Sequence, residues 1–73
     1  MATALGTVVV VQETRFRLVT YEGRAELFLV AHGCAIEPQD LLALQYQQAR
    51  VRVTYRPASG LVAGLATDVC DDS

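Results

Sequence analysis

The chain has 73 residues, 52% of them hydrophobic and only 19% charged, with a formal net charge of −2. It reads as one small domain, too apolar for a disordered chain and without the strongly basic balance of a non-specific nucleic-acid binder. No apolar run approaches the roughly 18 residues of a membrane span, and the opening MATALG has no cationic stretch leading into an apolar one. A cytoplasmic protein is therefore expected.

Residues 1–5 are expected as a loose lead-in to a first strand over Gly6–Gln12, GTVVVVQ. Branched residues lose χ1 freedom in a helix, and the four valines suggest a strand covered on both faces or bent between two neighbours. Gln12–Thr14 makes a turn. Arg15–Tyr21 then alternates, with Phe16, Leu18 and Thr20 on one face and Arg15, Arg17, Val19 and Tyr21 on the other. Glu22-Gly23 is the turn of a hairpin, with Gly23 free to take a positive φ. The returning strand, Arg24–Ala31, is expected to turn Ala25, Leu27, Leu29 and Ala31 to the core and Arg24, Glu26, Phe28 and Val30 outward, followed by His32.

A helix is predicted from Pro38 to about Gln48. Proline at its start loses no needed N–H, and Asp40 in its first turn suits the helix dipole. Leu41, Leu42, Leu44 and Tyr46 form its apolar side, and Gln45, Gln47 and Gln48 face water. Arg50–Arg56 is a fourth strand with Val51, Val53 and Tyr55 inward and Arg50, Arg52, Thr54 and Arg56 outward. Residues 57–60, PASG, make a turn. Leu61–Val69 is the fifth strand, where Gly64 implies a bulge or a close backbone approach. Residues 70–73 are expected as an acidic polar tail.

The order β-β-β-α-β-β, with short alternating strands and one helix, predicts an all-β fold with one short helix, a sheet curled into a five-stranded Greek-key barrel. It resembles the OB-fold. Within that fold the chain is similar to bacterial translation initiation factor one and to ribosomal-protein S1-type domains. The matching pieces are Gly6-Thr7-Val8-Val9, Phe16-Arg17-Leu18, Gly23, Val51-Arg52-Val53 and Gly64. The resemblance spans nearly the whole chain through barrel-forming positions. It implies binding of single-stranded RNA or DNA across strands two and three. The chain departs from those families in having no lysine, and strand two carries Arg15 and Arg17 where related cold-shock domains expose aromatics.

The residues that could do such binding are Arg15, Arg17, Tyr21, Arg24, Phe28 and His32, the outward set of the hairpin. Guanidinium groups hold phosphates bidentately, and Phe28, Tyr21 or His32 could stack a base. The plainer reading is a solvated face, with Glu26 pairing Arg15 or Arg17 across the hairpin. Arg50, Arg52 and Arg56 form a second cationic row, read first as charge that keeps a strand from aggregating.

No catalytic residue, cofactor or metal ligand set is expected. His32 is the only histidine, and Cys34 and Cys70, with no CxxC, read as reduced thiols. A catalytic pairing of His32 with Cys34 has no acid beside it to orient the imidazole. The alternative to nucleic-acid binding is a protein-interaction module or homodimer that uses Val19, Phe28 and Val30 as an apolar patch, since an apolar chain of low charge leaves surface in want of cover. An acidic tail lying over the hairpin arginines would weaken any oligonucleotide binding.

Overall fold

In a computed structural model, which describes residues 2–34, 36–57 and 63–72, the elements follow the expected order: β1 (Ala2–Gln12), β2 (Arg15–Thr20), β3 (Ala25–Val30), α1 (Pro38–Gln47), β4 (Arg50–Pro57) and β5 (Gly64–Asp71). The strands close a barrel in the order β1-β2-β3-β5-β4. β4 returns to β1, and every pairing is antiparallel except β3 with β5. This Greek-key order, with a helix between the third and fourth strands, is OB-like.

β1 is longer than expected. Ala2–Leu5 is no loose lead-in; it pairs with Tyr55 through Arg52 of β4. From Gly6 onward the strand pairs with β2. The four-valine run thus belongs to a bent strand with different neighbours along its length. At Gly6 the strands cross so closely that a Cβ would run into the Val19 carbonyl and lie 2.9 Å from the Thr20 Cα. A bulge between Val8 and Val10 then resets the alternation: Val8 is buried, Val9 and Val10 both face out, and Val11 packs against the core.

The core is Val8, Phe16, Leu18, Phe28, Leu41, Val51, Val53 and Ala66, with Ala4 and Val69 at its margin. The inward assignments on β2 and β4 hold. The assignment on β3 is reversed over Ala25–Val30, because the hairpin loop is one residue longer than Glu22-Gly23 suggests, while Ala31, just past the strand, is buried as expected. Gly23 N–H donates to the Thr20 carbonyl at 2.9 Å, and Thr20 N–H to the Arg24 carbonyl at 2.8 Å, leaving Tyr21, Glu22 and Gly23 as the loop with Gly23 at φ 87°. Phe28 therefore stands opposite Phe16, and Leu27 opposite Arg17. A single-residue change of register sends every side chain of a strand to the other face.

α1 closes one end of the barrel with Leu41, which is fully buried. The Asp40 carboxylate accepts the Glu37 N–H at 3.1 Å at its start. At its end Gln48 takes a left-handed φ of 52°, with Gln48 N–H donating to the Gln45 carbonyl and Ala49 N–H to the Leu44 carbonyl, both at 3.1 Å. Leu44 is half-buried, but Leu42 (52% exposed) and Tyr46 (92%) are not core residues as expected. Gln45 faces the barrel instead of water; its side-chain amide donates to the Val9 carbonyl at 2.9 Å, meeting the bulge.

β5 is described from Gly64 and runs on to Asp71, so Cys70 and Asp71 of the expected polar tail are strand. Pro57, expected to open the turn over residues 57–60, is instead the last residue of β4; the rest of that turn and the start expected at Leu61 lie outside the described residues. Gly64 is indeed a close approach: a Cβ there would lie 2.8 Å from Tyr55 Cδ2 and 2.9 Å from Phe28 Cε1.

Candidate binding face

β2 carries the two hairpin arginines outward, and its neighbours on both sides are apolar or uncharged. Along one row Val10 of β1, Arg17 and Leu27 of β3 are paired side by side; along the next, Gln12, Arg15 and Leu29. Residues paired across adjacent strands project to one face. Each guanidinium stem thus rises between uncharged neighbours, with half-buried leucines on one side. A shallow groove of about 180 Å³ follows this face between Val10, Gln12, Arg15, Arg17 and Leu27. Arg17 also borders a larger groove of about 490 Å³, whose walls include Glu26, Leu27, Phe28, Tyr55 and Gly64.

An ion pair joins Arg52 to Asp72 at 2.8 Å. The expected bridge from Glu26 to Arg15 or Arg17 is not made. Glu26 lies opposite Leu18, half-buried on the inward side of β3. Both hairpin arginines keep their donors toward solvent.

The other residues expected on this face are distributed elsewhere. Phe28 is 1% exposed, stacked on Phe16 at 5.4 Å between ring centroids and edge-on to Tyr55 at 5.0 Å. It is a core ring, not a stacking platform. The apolar patch of Val19, Phe28 and Val30 fails with it, since Val30 also packs against the core and Val19 is half-buried. Tyr21 lies in the hairpin loop with the Arg50 guanidinium over its ring at 5.4 Å. Arg24 is at the hairpin tip, its N–H donating to the Thr20 hydroxyl at 3.2 Å. His32 is exposed in the turn after β3, at the opposite end of that strand from Arg24.

The row on β4 is largely engaged. Arg50 covers Tyr21, and Arg52 donates to the Asp72 carboxylate at 2.8 Å, leaving Arg56, paired with Leu65, exposed. Asp72 N–H also donates to the Arg50 carbonyl at 2.8 Å. Residues 70–72 are therefore bound along β4, not laid over the hairpin arginines.

Val10, Leu27 and Leu29 were not legible as parts of this face. The loop length between β2 and β3 sets the register that brings Leu27 and Leu29 here, and the β1 bulge turns Val10 outward. Cys34 and Cys70 are free thiols. Among the described residues no cluster of three or more His, Cys, Asp or Glu is placed to hold a metal ion, and no helix is long and apolar enough to cross a membrane.

Comparison of the chain with protein-family models, with curated proteins and with solved structures finds no match. The strand order and the face itself are what any functional reading rests on.

Proposed function

We propose that the protein is a non-catalytic binding module that takes a protein segment carrying carboxylates beside aliphatic side chains on the outer face of β1, β2 and β3. The observation that supports this is the row Val10–Arg17–Leu27, a solvent-facing guanidinium set between aliphatic neighbours. A planar guanidinium pairs bidentately with a carboxylate, while its stem and flanking leucines bury apolar contacts. Arginine in such a setting is a common energetic centre of protein interfaces. A cytoplasmic setting goes with this reading, as two unbridged cysteines suit a reducing compartment.

Single-stranded nucleic acid is the second reading, favoured by the OB-like barrel and by the unpaired Arg15 and Arg17. The resemblance to initiation factor one and S1-type domains rests on positions that build the barrel, and one barrel hosts many functions. Base stacking on aromatics supplies about 1–3 kcal/mol per base in such binders, and with Phe28 inside the core this face has no aromatic to supply it.

Fluorescence anisotropy at low salt, with a labelled peptide alternating Asp or Glu with Val or Leu and a labelled oligothymidylate as probes, tests the choice. The expected result is peptide binding that weakens about tenfold, near 1.4 kcal/mol, in Arg17→Ala, and less in Arg24→Ala. Tighter binding of the oligonucleotide than of the peptide overturns the protein reading.

A further inference from the structure

The first half of β3 has a strand on one side only. Its ladder with β5 begins at Phe28 opposite Gly64, and Ala63, just before Gly64, bends out of strand geometry. Among the described residues, Ala25, Glu26 and Leu27 have no ladder partner beyond β2. Hydrogen bonds at the two ends of the β2–β3 ladder show which backbone groups face that gap. Thr20 N–H donates to the Arg24 carbonyl at 2.8 Å, and Val30 N–H to the Thr14 carbonyl at 2.7 Å. Bonded and non-bonded pairs alternate along an antiparallel ladder, so Arg24, Glu26, Phe28 and Val30 turn their main-chain groups to β2. Ala25, Leu27 and Leu29 turn theirs the other way. So does Ala31, whose N–H donates to the Ala66 carbonyl of β5 at 2.8 Å. Leu29 meets β5 there, whereas Ala25 and Leu27 point into the gap.

The same gap carries two opposite charges on its two sides. A groove of about 490 Å³ lies along it, bordered by Arg17, Glu26, Leu27, Tyr55 and Gly64. Arg17 and Leu27 belong to the outer face, and Glu26 to the inward side of β3. Glu26 and Tyr55 also border a second groove of about 220 Å³, whose other charged walls are Glu22 and Arg24. The Glu26 carboxylate makes no ion pair among the described residues.

We propose that an extended segment of a partner protein enters this gap as an added strand along β3, with an acidic side chain outward at Arg17 and a basic one inward at Glu26. The inference rests on the protein-segment reading above and specifies how that segment is held. The backbone edge fixes the occupant as a strand, because main-chain groups at strand spacing meet Ala25 and Leu27 together. Neighbouring side chains of a strand leave on opposite faces, so the two charges fall on consecutive residues of the partner. An oligonucleotide backbone offers no cation to Glu26.

Fluorescence anisotropy with a labelled, end-blocked hexapeptide that carries adjacent glutamate and arginine between valines reads the result on the full chain. Two further forms of the peptide carry N-methyl groups on alternate amides, one form on each edge of the strand. One form should lose about tenfold or more in affinity and the other keep it, since a single edge faces β3. Glu26→Gln, with its circular dichroism unchanged, and norleucine in place of the peptide arginine should each weaken binding about tenfold, and both together no further. By nuclear magnetic resonance, the Leu27 amide of the free protein should exchange faster than those of Glu26 and Phe28, and slow when the peptide binds. Equal binding of both methylated forms, with Arg17→Ala still weakening the parent peptide, overturns the added strand and leaves the outer-face reading standing. Indifference to Glu26→Gln also overturns the proposal. A Leu27 amide as slow as its neighbours in the free protein does so too, because this chain's own backbone then fills the gap. Absence of peptide binding removes both the proposal and the reading beneath it.

Discussion

Phe16 and Phe28 face each other across β2 and β3, paired in register with their rings stacked 5.4 Å apart inside the barrel. That pair anchors the centre of the core and, through the register, determines which side chains of β3 meet solvent. Phe28→Ala removes a ring that also touches Tyr55. We expect a loss of about 3–5 kcal/mol in urea unfolding, typical of a buried phenylalanine truncated to alanine. A cost under about 1 kcal/mol would mean that the ring is not in the core.

The two glycines at close approaches should rank in order. At Gly64 an added Cβ meets ring atoms of Tyr55 and Phe28 at 2.8 and 2.9 Å, so Gly64→Ala is expected to cost about 1–3 kcal/mol through overpacking. At Gly6 the obstacle is the Val19 and Thr20 backbone, which cannot rotate away. Gly6→Ala should therefore be the more damaging of the two by thermal denaturation, and the reverse order would contradict the β1–β2 crossing.

Gln48 ends α1 in the left-handed region, where a Cβ is disfavoured. Gln48→Gly should raise stability by about 0.5–1 kcal/mol, as glycine is the usual residue at this position of a helix end. Denaturant midpoints of the two proteins, at equal slope, provide the measurement.

The Arg52–Asp72 bridge has side chains 51% and 26% exposed. A double-mutant cycle with Arg52→Ala and Asp72→Asn should give a coupling of about 0.2–1 kcal/mol, falling with added salt. The Asp72 main chain is held separately by the Arg50 carbonyl, so neither side-chain change is expected to detach the end of β5.

Leu41→Ala probes how the helix is held. Ten residues of helix are marginal in isolation, and Leu41 is its fully buried side chain. A loss of about 2–5 kcal/mol is expected. Amide exchange across residues 38–47 should accelerate more than in β2.

Much of this barrel is legible in the chain. The β-branched run from Val8, the alternation of Phe16 and Leu18 and that of Val51 and Val53, and the proline start of α1 each predict the element observed, because period and propensity are local properties. Gly64 announces a close approach for the same reason. What local pattern could not decide was β3. Its residues 25–31, AELFLVA, are apolar on both alternating faces apart from Glu26, so either face could have been the core one. A loop of Tyr21-Glu22-Gly23 instead of Glu22-Gly23 puts Phe28 inside and leaves Leu27 and Leu29 beside the arginines. Burying the larger ring against Phe16 and Tyr55, with Gly64 making room for it, is what tertiary packing adds. Leu42 and Tyr46 were likewise indistinguishable from core residues until α1 docked through Leu41. The sequence by itself determined the elements and their order; the closed barrel decided the faces, because the register between strands depends on contacts that no single strand contains.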